Sequence, residues 1–242
     1  SLIKYWPYNL SLTLDNYAFA NFDSNGWDSY YNSLQMAAGA AVFGTALMFV
    51  GAWLNEKTRG FHLMRGVVQL LAFLPMAVPG LVLGLGYIFF FNAPGNPLNF
   101  LYATMAILVI NTVAHFYTVG HLTATTALKQ IDPEFESVSA SLKVPVWRTF
   151  ARVTAPICLP AILDIAIYLF VNAMTTVSSV IFLYAPDTKL ASVAAVNIEE
   201  AGTTAAAAAL CVVIVLTSAG VKAMHLLADR FLLGHLQAWR RR

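Results

Sequence analysis

The sequence predicts an all-α integral membrane protein that crosses the bilayer five times. Three observations carry this reading. Hydrophobic residues make up 59% of 242 residues and charged ones 11%, with a mean hydropathy of +0.67, whereas a soluble domain needs polar residues to cover its surface. The apolar residues fall into five runs, each close to the ~20 residues that cross a hydrocarbon core. The basic residues gather in every second connector, as they do on the cytoplasmic side of membrane proteins.

Residues 1–32 form a water-facing lead-in rich in Tyr, Trp, Asn and Asp, in which Trp6, Trp27, Tyr30 and Tyr31 suit a membrane interface. The chain opens at Ser1 without a basic region followed by a short apolar core. No signal peptide is therefore read, and the chain is taken as an excised or processed part of something longer. The first apolar run, 33–54, reaches ~33 Å as a helix. The others cover 67–91, 100–122, 157–184 and 205–227, so residues 33–228 form the five-span unit. Lys57, Arg59 and Arg65 follow the first run; Lys129, Lys143, Arg148 and Arg152 follow the third; Arg230 and Arg240 to Arg242 follow the fifth, in a basic tail over 229–242. The opposite side holds only Lys4 and Lys189. The amino end is expected outside and the carboxyl end in the cytoplasm.

The stretch "IDPEFESVSASLKVPVWRTFARVTAP" lies within the largest cytoplasmic connector, 123–156, and is strongly charged for so apolar a chain. Asp132 and Pro133 read as a helix cap and first helical residue, and Glu134 and Glu136 stand in the first turn, where the helix dipole favours negative charge. The helix is expected to run to about Leu142. Pro145 interrupts it, and Trp147, Phe150 and Val153 then form an apolar stripe flanked by Arg148 and Arg152. Such a helix rests on lipid headgroups or docks a protein.

With its continuation "ICLP", this stretch resembles the cytoplasmic EAA loop of permease subunits of bacterial ABC importers that work with a binding protein. The family pattern runs D-P, E-A-A, a Gly, an aromatic-R-x-F cluster and a closing L-P. Asp132, Pro133, Leu142, Trp147, Arg148, Phe150, Pro156 and Pro160 occupy matching places. Ser137, Val138 and Ser139 replace the E-A-A triplet with Glu136 one residue early, and Lys143 replaces the Gly. The likeness extends from Tyr31 through "PMAVPGLVLGLG" and "LYAPDTKLASVAAVNIEEAGTTAAAAA". It is strongest toward the ferric-iron and phosphonate branch, in which one polypeptide often carries two fused copies. Spans two to four are most similar to 2-aminoethylphosphonate permeases.

The resemblance implies a five-helix type I ABC importer core with a cytoplasmic coupling helix, in the bacterial inner membrane. It implies a cytoplasmic ABC ATPase dimer, a second permease half, fused or separate, and a periplasmic substrate-binding protein. It also makes the coupling residues Asp132, Pro133, Glu136, Ser137, Lys143, Trp147, Arg148, Phe150 and Pro156. No G-x-x-x-x-G-K-[ST] occurs in the chain. ATP and Mg are therefore expected in the partner ATPase, with no cofactor bound by this chain. The solute is read as 2-aminoethylphosphonate or another phosphonate, with ferric iron, polyamine or thiamine as alternatives. An ion-gradient transporter would need broken-helix repeats and coupling-ion ligands within one chain, and the large polar connector argues against it.

Within the spans, Asp164, Tyr168, Asn172, Thr175 and Ser179 follow at steps of four, four, three and four, which places them on one helix face. They read as lining of a translocation pathway or as helix-to-helix hydrogen bonds. Lys222 either pairs with Asp164 or snorkels, and snorkelling is expected. Pro75, Pro79, Gly80 and Gly84 read as a kinked, gate-forming span two, with close helix packing the alternative for the G-x-x-x-G pair. Asn111 and His115 share a face and read as a structural hydrogen bond. The five histidines lack ligand spacing, so no metal site is expected. No nucleophile-base set is recognisable, and the net charge of +2 gives no reason to expect nucleic acid.

Overall fold

Charge and proline divide the apolar chain into helices, and the computed structural model describes them over residues 1–5, 8–57, 62–228 and 230. Trp6, Arg59 and all of the basic tail except Arg230 lie outside the described residues. Two short strands, β1 (Ile3–Tyr5) and β2 (Asn9–Leu12), pair antiparallel at the amino end. All the remaining regular structure described is helical.

Span one is a 30-residue helix, Asp28–Lys57. It comprises α1 (Asp28–Gly39), a π turn over Ala40–Gly44 and α2 (Thr45–Lys57). It thus starts inside the expected lead-in, because Asp28 supplies the negative charge favoured in a first turn. Small residues let its neighbours approach closely: a Cβ on Gly44 would lie 2.7 Å from Leu169 Cδ1 and 2.9 Å from Val113 Cγ2.

Span two is not one kinked helix. α3 (His62–Ala77) and α4 (Gly80–Phe91) meet at 111°, with the break at 78–79. Pro75 cannot donate into the α3 ladder, and Pro79 cannot continue it. Span three begins at Met105, five residues later than expected, because the chain first makes a short 3-10 turn over Asn99–Leu101. Its halves α5 (Met105–His115) and α6 (Tyr117–Lys129) bend by 58° at Phe116. The span therefore continues seven residues into the stretch read as connector.

The connector itself holds α7 (Glu134–Ser141) and α8 (Val146–Thr149), followed by a π turn (Phe150–Thr154) and α9 (Ala155–Ile157). Span four, α10 (Leu159–Thr175), leaves this segment at 73° between Pro156 and Pro160. It ends nine residues before the expected Tyr184. Thr176 turns extended, its hydroxyl pairs with that of Ser179 at 3.2 Å, and its carbonyl accepts from Ser192 Oγ at 2.6 Å. Hydroxyl side chains here compete with the helix ladder. A buried helix α11 (Ala191–Glu200) then reverses into span five, α12 (Thr204–Ala228).

Counting each bent pair as one span, five helical segments are long and apolar enough to cross a membrane. Met36, Met48, Ile107, Leu108, Ile165, Leu169 and Met174 form the sealed core between spans one, three and four. Phe43, Leu70, Met76, Phe89 and Leu216, by contrast, are exposed. An apolar exterior around a packed interior is what lipid requires.

Candidate functional site

Polar contacts separate the two ends of the bundle. At one end Lys189 Nζ meets Asp23 Oδ1 at 2.5 Å in a buried pair, and Asn25 and Asn32 donate to the carbonyls of Pro186 and Asp187. These bonds tie the lead-in to the connector before α11. At the other end Arg65 donates to the carbonyls of Asn55 and Glu56, and Lys57 Nζ meets Glu136 Oε1 at 2.5 Å. Here the charged connector sits.

Its geometry starts from Asp132, whose Oδ1 accepts from the Glu134 amide at 2.9 Å, with Pro133 in helical conformation behind it. That cap starts α7. The helix closes with Val144 N donating to Ser139 O and Lys143 N to Ala140 O, both at 3.0 Å. This is a Schellman ending, and it needs a left-handed residue at its turn. Lys143 takes that place with φ +53°. The bend expected of Gly is therefore made by Lys. Ser139 Oγ and Thr149 Oγ1 then pin the returning segment against α7.

The expected stripe of Trp147, Phe150 and Val153 is split. Phe150 packs inward on Trp53 at 4.5 Å and Phe49 at 5.9 Å between ring centroids. Trp147 stays 64% exposed, with the Arg148 guanidinium 5.2 Å from its ring centre. Three residues advance an α-helix by about 300°, so Trp147 and Phe150 need not share a face, and the π turn starting at Phe150 changes the step on to the half-buried Val153. Phe135, Val138, Leu142 and Val146 are exposed like Trp147, and the first three line one recess with Val144 and Arg148. Of these, Leu142 is a match to the family motif and Val138 stands in its E-A-A position. Phe135, Val138 and Leu142 at i, i+3 and i+7 were the signal that could have found the patch. Ser137 is also exposed, its hydroxyl returned to Pro133 O at 3.3 Å, and Pro156 stands exposed at the bend.

Asp164, Tyr168, Asn172 and Thr175 all lie on α10, but Ser179 does not. Helix spacing cannot place it, since the chain leaves the helix at Thr176. Ser179 is fully buried, and its carbonyl accepts from Asn111 Nδ2 at 2.8 Å. Asn172 donates back to Tyr168 O at 2.7 Å, and Tyr168 sets its ring edge-on to Phe116 at 6.1 Å. Asp164 Oδ1 lies 4.0 Å from Lys222 Nζ and 3.8 Å from His225 Nε2. Lys222 thus stands at the limit of ion-pair distance from Asp164, with both side chains about half exposed. A cavity between α6 and the start of α10 opens beside Asp164, lined by Thr123, Thr126, Gln130 and Cys158.

Gly80 and Gly84 press on the segment after α10. A Cβ on Gly80 would lie 2.5 Å from Ser178 Oγ, and one on Gly84 2.7 Å from the Ser179 carbonyl oxygen. His115 borders the same contact, 3.2 Å from the Gly80 position. Close backbone approach therefore explains the G-x-x-x-G spacing. The gate-forming helix expected around Pro79 is a break between two helices. Among the described residues no three His, Cys, Asp or Glu side chains gather as a metal site.

Comparison with known proteins agrees with this architecture. Residues 47–232 match the family model for the binding-protein-dependent transport system inner membrane component. A putative ferric transport system permease protein of Haemophilus influenzae is 34% identical over 192 residues, covering 76% of this chain and 29% of that protein. A ferric transport system permease protein of Actinobacillus pleuropneumoniae is 33% identical over 81% of this chain and 28% of its own length. The chain thus spans less than a third of these ferric relatives. A putative 2-aminoethylphosphonate transport system permease protein of Salmonella paratyphi A is 25% identical over 78% of this chain and 69% of its length. The fold matches a chain of a bacterial ABC transporter involved in the import of the acidic polysaccharide alginate, with a TM-score of 0.77, 15% identity, and coverage of 94% of this chain and 85% of that one. With five helical spans, a capped helix on the connector between spans three and four, and a family match over more than half its length, this chain belongs to the binding-protein-dependent inner membrane components, the permeases of ABC importers.

Proposed function

We propose that this chain is one permease unit of an ATP-driven importer that receives a small solute from an external binding protein. The observation that carries this reading is the exposure of five large apolar side chains, Phe135, Val138, Leu142, Val146 and Trp147, within one charged connector. An exposed aromatic and aliphatic cluster with polar surroundings is the chemistry of a protein dock. A pair of ATPases in the cytoplasm supplies the docking grooves and binds the ATP and Mg. Asp132, Pro133, Ser137 and Lys143 shape the coupling helix, and Arg148, Phe150 and Pro156 hold its return segment. The amino end faces the periplasm and the carboxyl end the cytoplasm, in keeping with Lys57, Arg65, Lys129, Lys143, Arg148 and Arg152 at the coupling end.

A second permease half, fused or separate, completes the pathway. The face bearing Asp164, Tyr168, Asn172 and Thr175 lines it, and the packed junction of Gly80, Gly84, Ser178 and Ser179 moves with it as the spans change packing. Ferric iron is the solute favoured by identity, since the ferric relatives reach 34% and 33%. Phosphonate, the first choice from sequence, is kept as the second reading by 2-aminoethylphosphonate permease relatives of 25% and 26% identity.

Reconstitution with the ATPase and binding protein encoded beside this chain tests the reading. ATP-dependent uptake of ferric iron is expected, and uptake of 2-aminoethylphosphonate instead would establish the second solute. Uptake that ignores ATP and stops when an ion gradient is collapsed would replace the importer by an ion-gradient transporter.

A further inference from the structure

Glu136 stands near the start of the coupling helix, yet it does not point into the docking patch. Its Oε1 lies 2.5 Å from Lys57 Nζ, with side-chain exposures of 34% and 16%. Lys57 is the last residue of α2, the end of span one. A cation there is favoured by the helix dipole, so the pair is supported from both partners. Two further contacts converge on the same turn. Arg65, at the start of span two, donates Nε and Nη2 to the carbonyls of Asn55 and Glu56, each at 2.5 Å. Phe150, on the return segment, packs on Trp53 and Phe49 one and two turns earlier. Beside them lies a recess lined by Trp53, Lys57, Glu136, Ser139, Thr149 and Phe150.

We propose that Lys57 is a positioning residue for coupling: through Glu136 it latches α7 to the last turn of span one, so that displacement of α7 reaches span one directly. The proposal rests on the permease reading above. It gives Glu136 an inward task and leaves the outward contact with an ATPase to the apolar patch. Span one runs 30 residues beside spans three and four, so a latch at its end has leverage over the whole bundle. A partly shielded pair resists salt screening better than an exposed one.

Two measurements test it. In the first, spin labels at Leu54 and Ser141 report the distance between span one and α7 in the purified permease, with no partner present. A narrow distribution is expected in the wild type and in Lys57→Arg, and a broad one in Lys57→Gln. Equal widths in all three would overturn the latch. The second uses the reconstituted transporter with ATPase and binding protein, scoring the stimulation of ATP hydrolysis by loaded binding protein. Lys57→Glu and Glu136→Lys are each expected to lower it about fivefold or more, the lower range of coupling energies between sites. The double exchange is expected to restore it. A double exchange as defective as Glu136→Lys, beside a normal Lys57→Glu, would mean that Glu136 acts on the ATPase itself and would overturn the proposal. If a reversed variant does not reach the membrane, Lys57→Gln and Lys57→Arg replace it, and equal stimulation in both overturns the latch. Wild-type permease that captures no ATPase would instead fail the functional reading, while the spin-label result still decides the latch.

Discussion

Lys143 and Gly202 make the same turn with different side chains. Each follows a short helix, at φ +53° and +86°, and each closes a Schellman pair of amides. Glycine adopts this conformation freely, whereas a Cβ meets the carbonyl that follows. Lys143→Gly is therefore expected to stabilise the end of α7 by about 1 kcal/mol, read as roughly fivefold greater hydrogen-exchange protection of the Lys143 and Val144 amides. Unchanged protection would mean that the turn carries no strain. Gly84 and Gly86 offer the opposite test. A Cβ on Gly84 would strike the Ser179 carbonyl, while one on Gly86 meets nothing within 4 Å. Gly84→Ala should destabilise the permease by about 1–3 kcal/mol, as overpacking does, and Gly86→Ala should leave its melting temperature in detergent unchanged. Equal melting temperatures for the two variants would refute the packed junction.

At the scale of elements, the proposed docking patch has the most direct test. Phe135→Asp with Val138→Ser changes exposed side chains and spares the Asp132 cap, so the permease should still insert and fold. Loss of central interface contacts costs more than ~2 kcal/mol, so ATPase capture should fall more than tenfold. Undiminished capture would return α7 to a helix resting on lipid. Much of this element was legible beforehand, because Asp132, Pro133 and Glu134 are local signals: cap, first residue and charge act within one turn. Spans one and five were legible for the same reason, since hydropathy is a property of the segment itself. What the pattern could not reveal depends on distant partners. Ser179 reads as a helix residue until Thr176 is seen bound to Ser192, and Lys57 reads as a topology signal until Glu136 lies against it. Pro75 and Pro79 announced a disturbance in span two, yet the size of the turn goes with how α3 and α4 pack on spans one and three and on the segment after α10.

For the whole molecule, the decisive quantity is which end faces which compartment. The end carrying α7 gathers Lys57, Arg65, Lys129, Lys143, Arg148 and Arg152, whereas the end held by the Asp23–Lys189 pair has, among the described residues, the exposed Lys4 and the buried Lys189, whose charge Asp23 neutralises. Positive residues in short connectors resist translocation across the membrane, so the α7 end is expected in the cytoplasm. Single cysteines at Asn25 and Ser141, placed in a chain with Cys158 and Cys211 replaced, report this directly. Both positions lie in exposed or half-exposed backbone at opposite ends of the bundle. A membrane-impermeant maleimide should label Asn25→Cys in cells whose outer membrane alone is opened, and should label Ser141→Cys only after the inner membrane is broken. The reverse pattern would invert the molecule, placing the patch of Phe135, Val138 and Leu142 where no ATP is available. Labelling of both from one side would be the graver result, since an odd number of crossings must separate Asn25 from Ser141. It would require that one of the bent pairs enters and leaves the bilayer on the same face, and α3–α4, turned by 111°, is the pair it would single out.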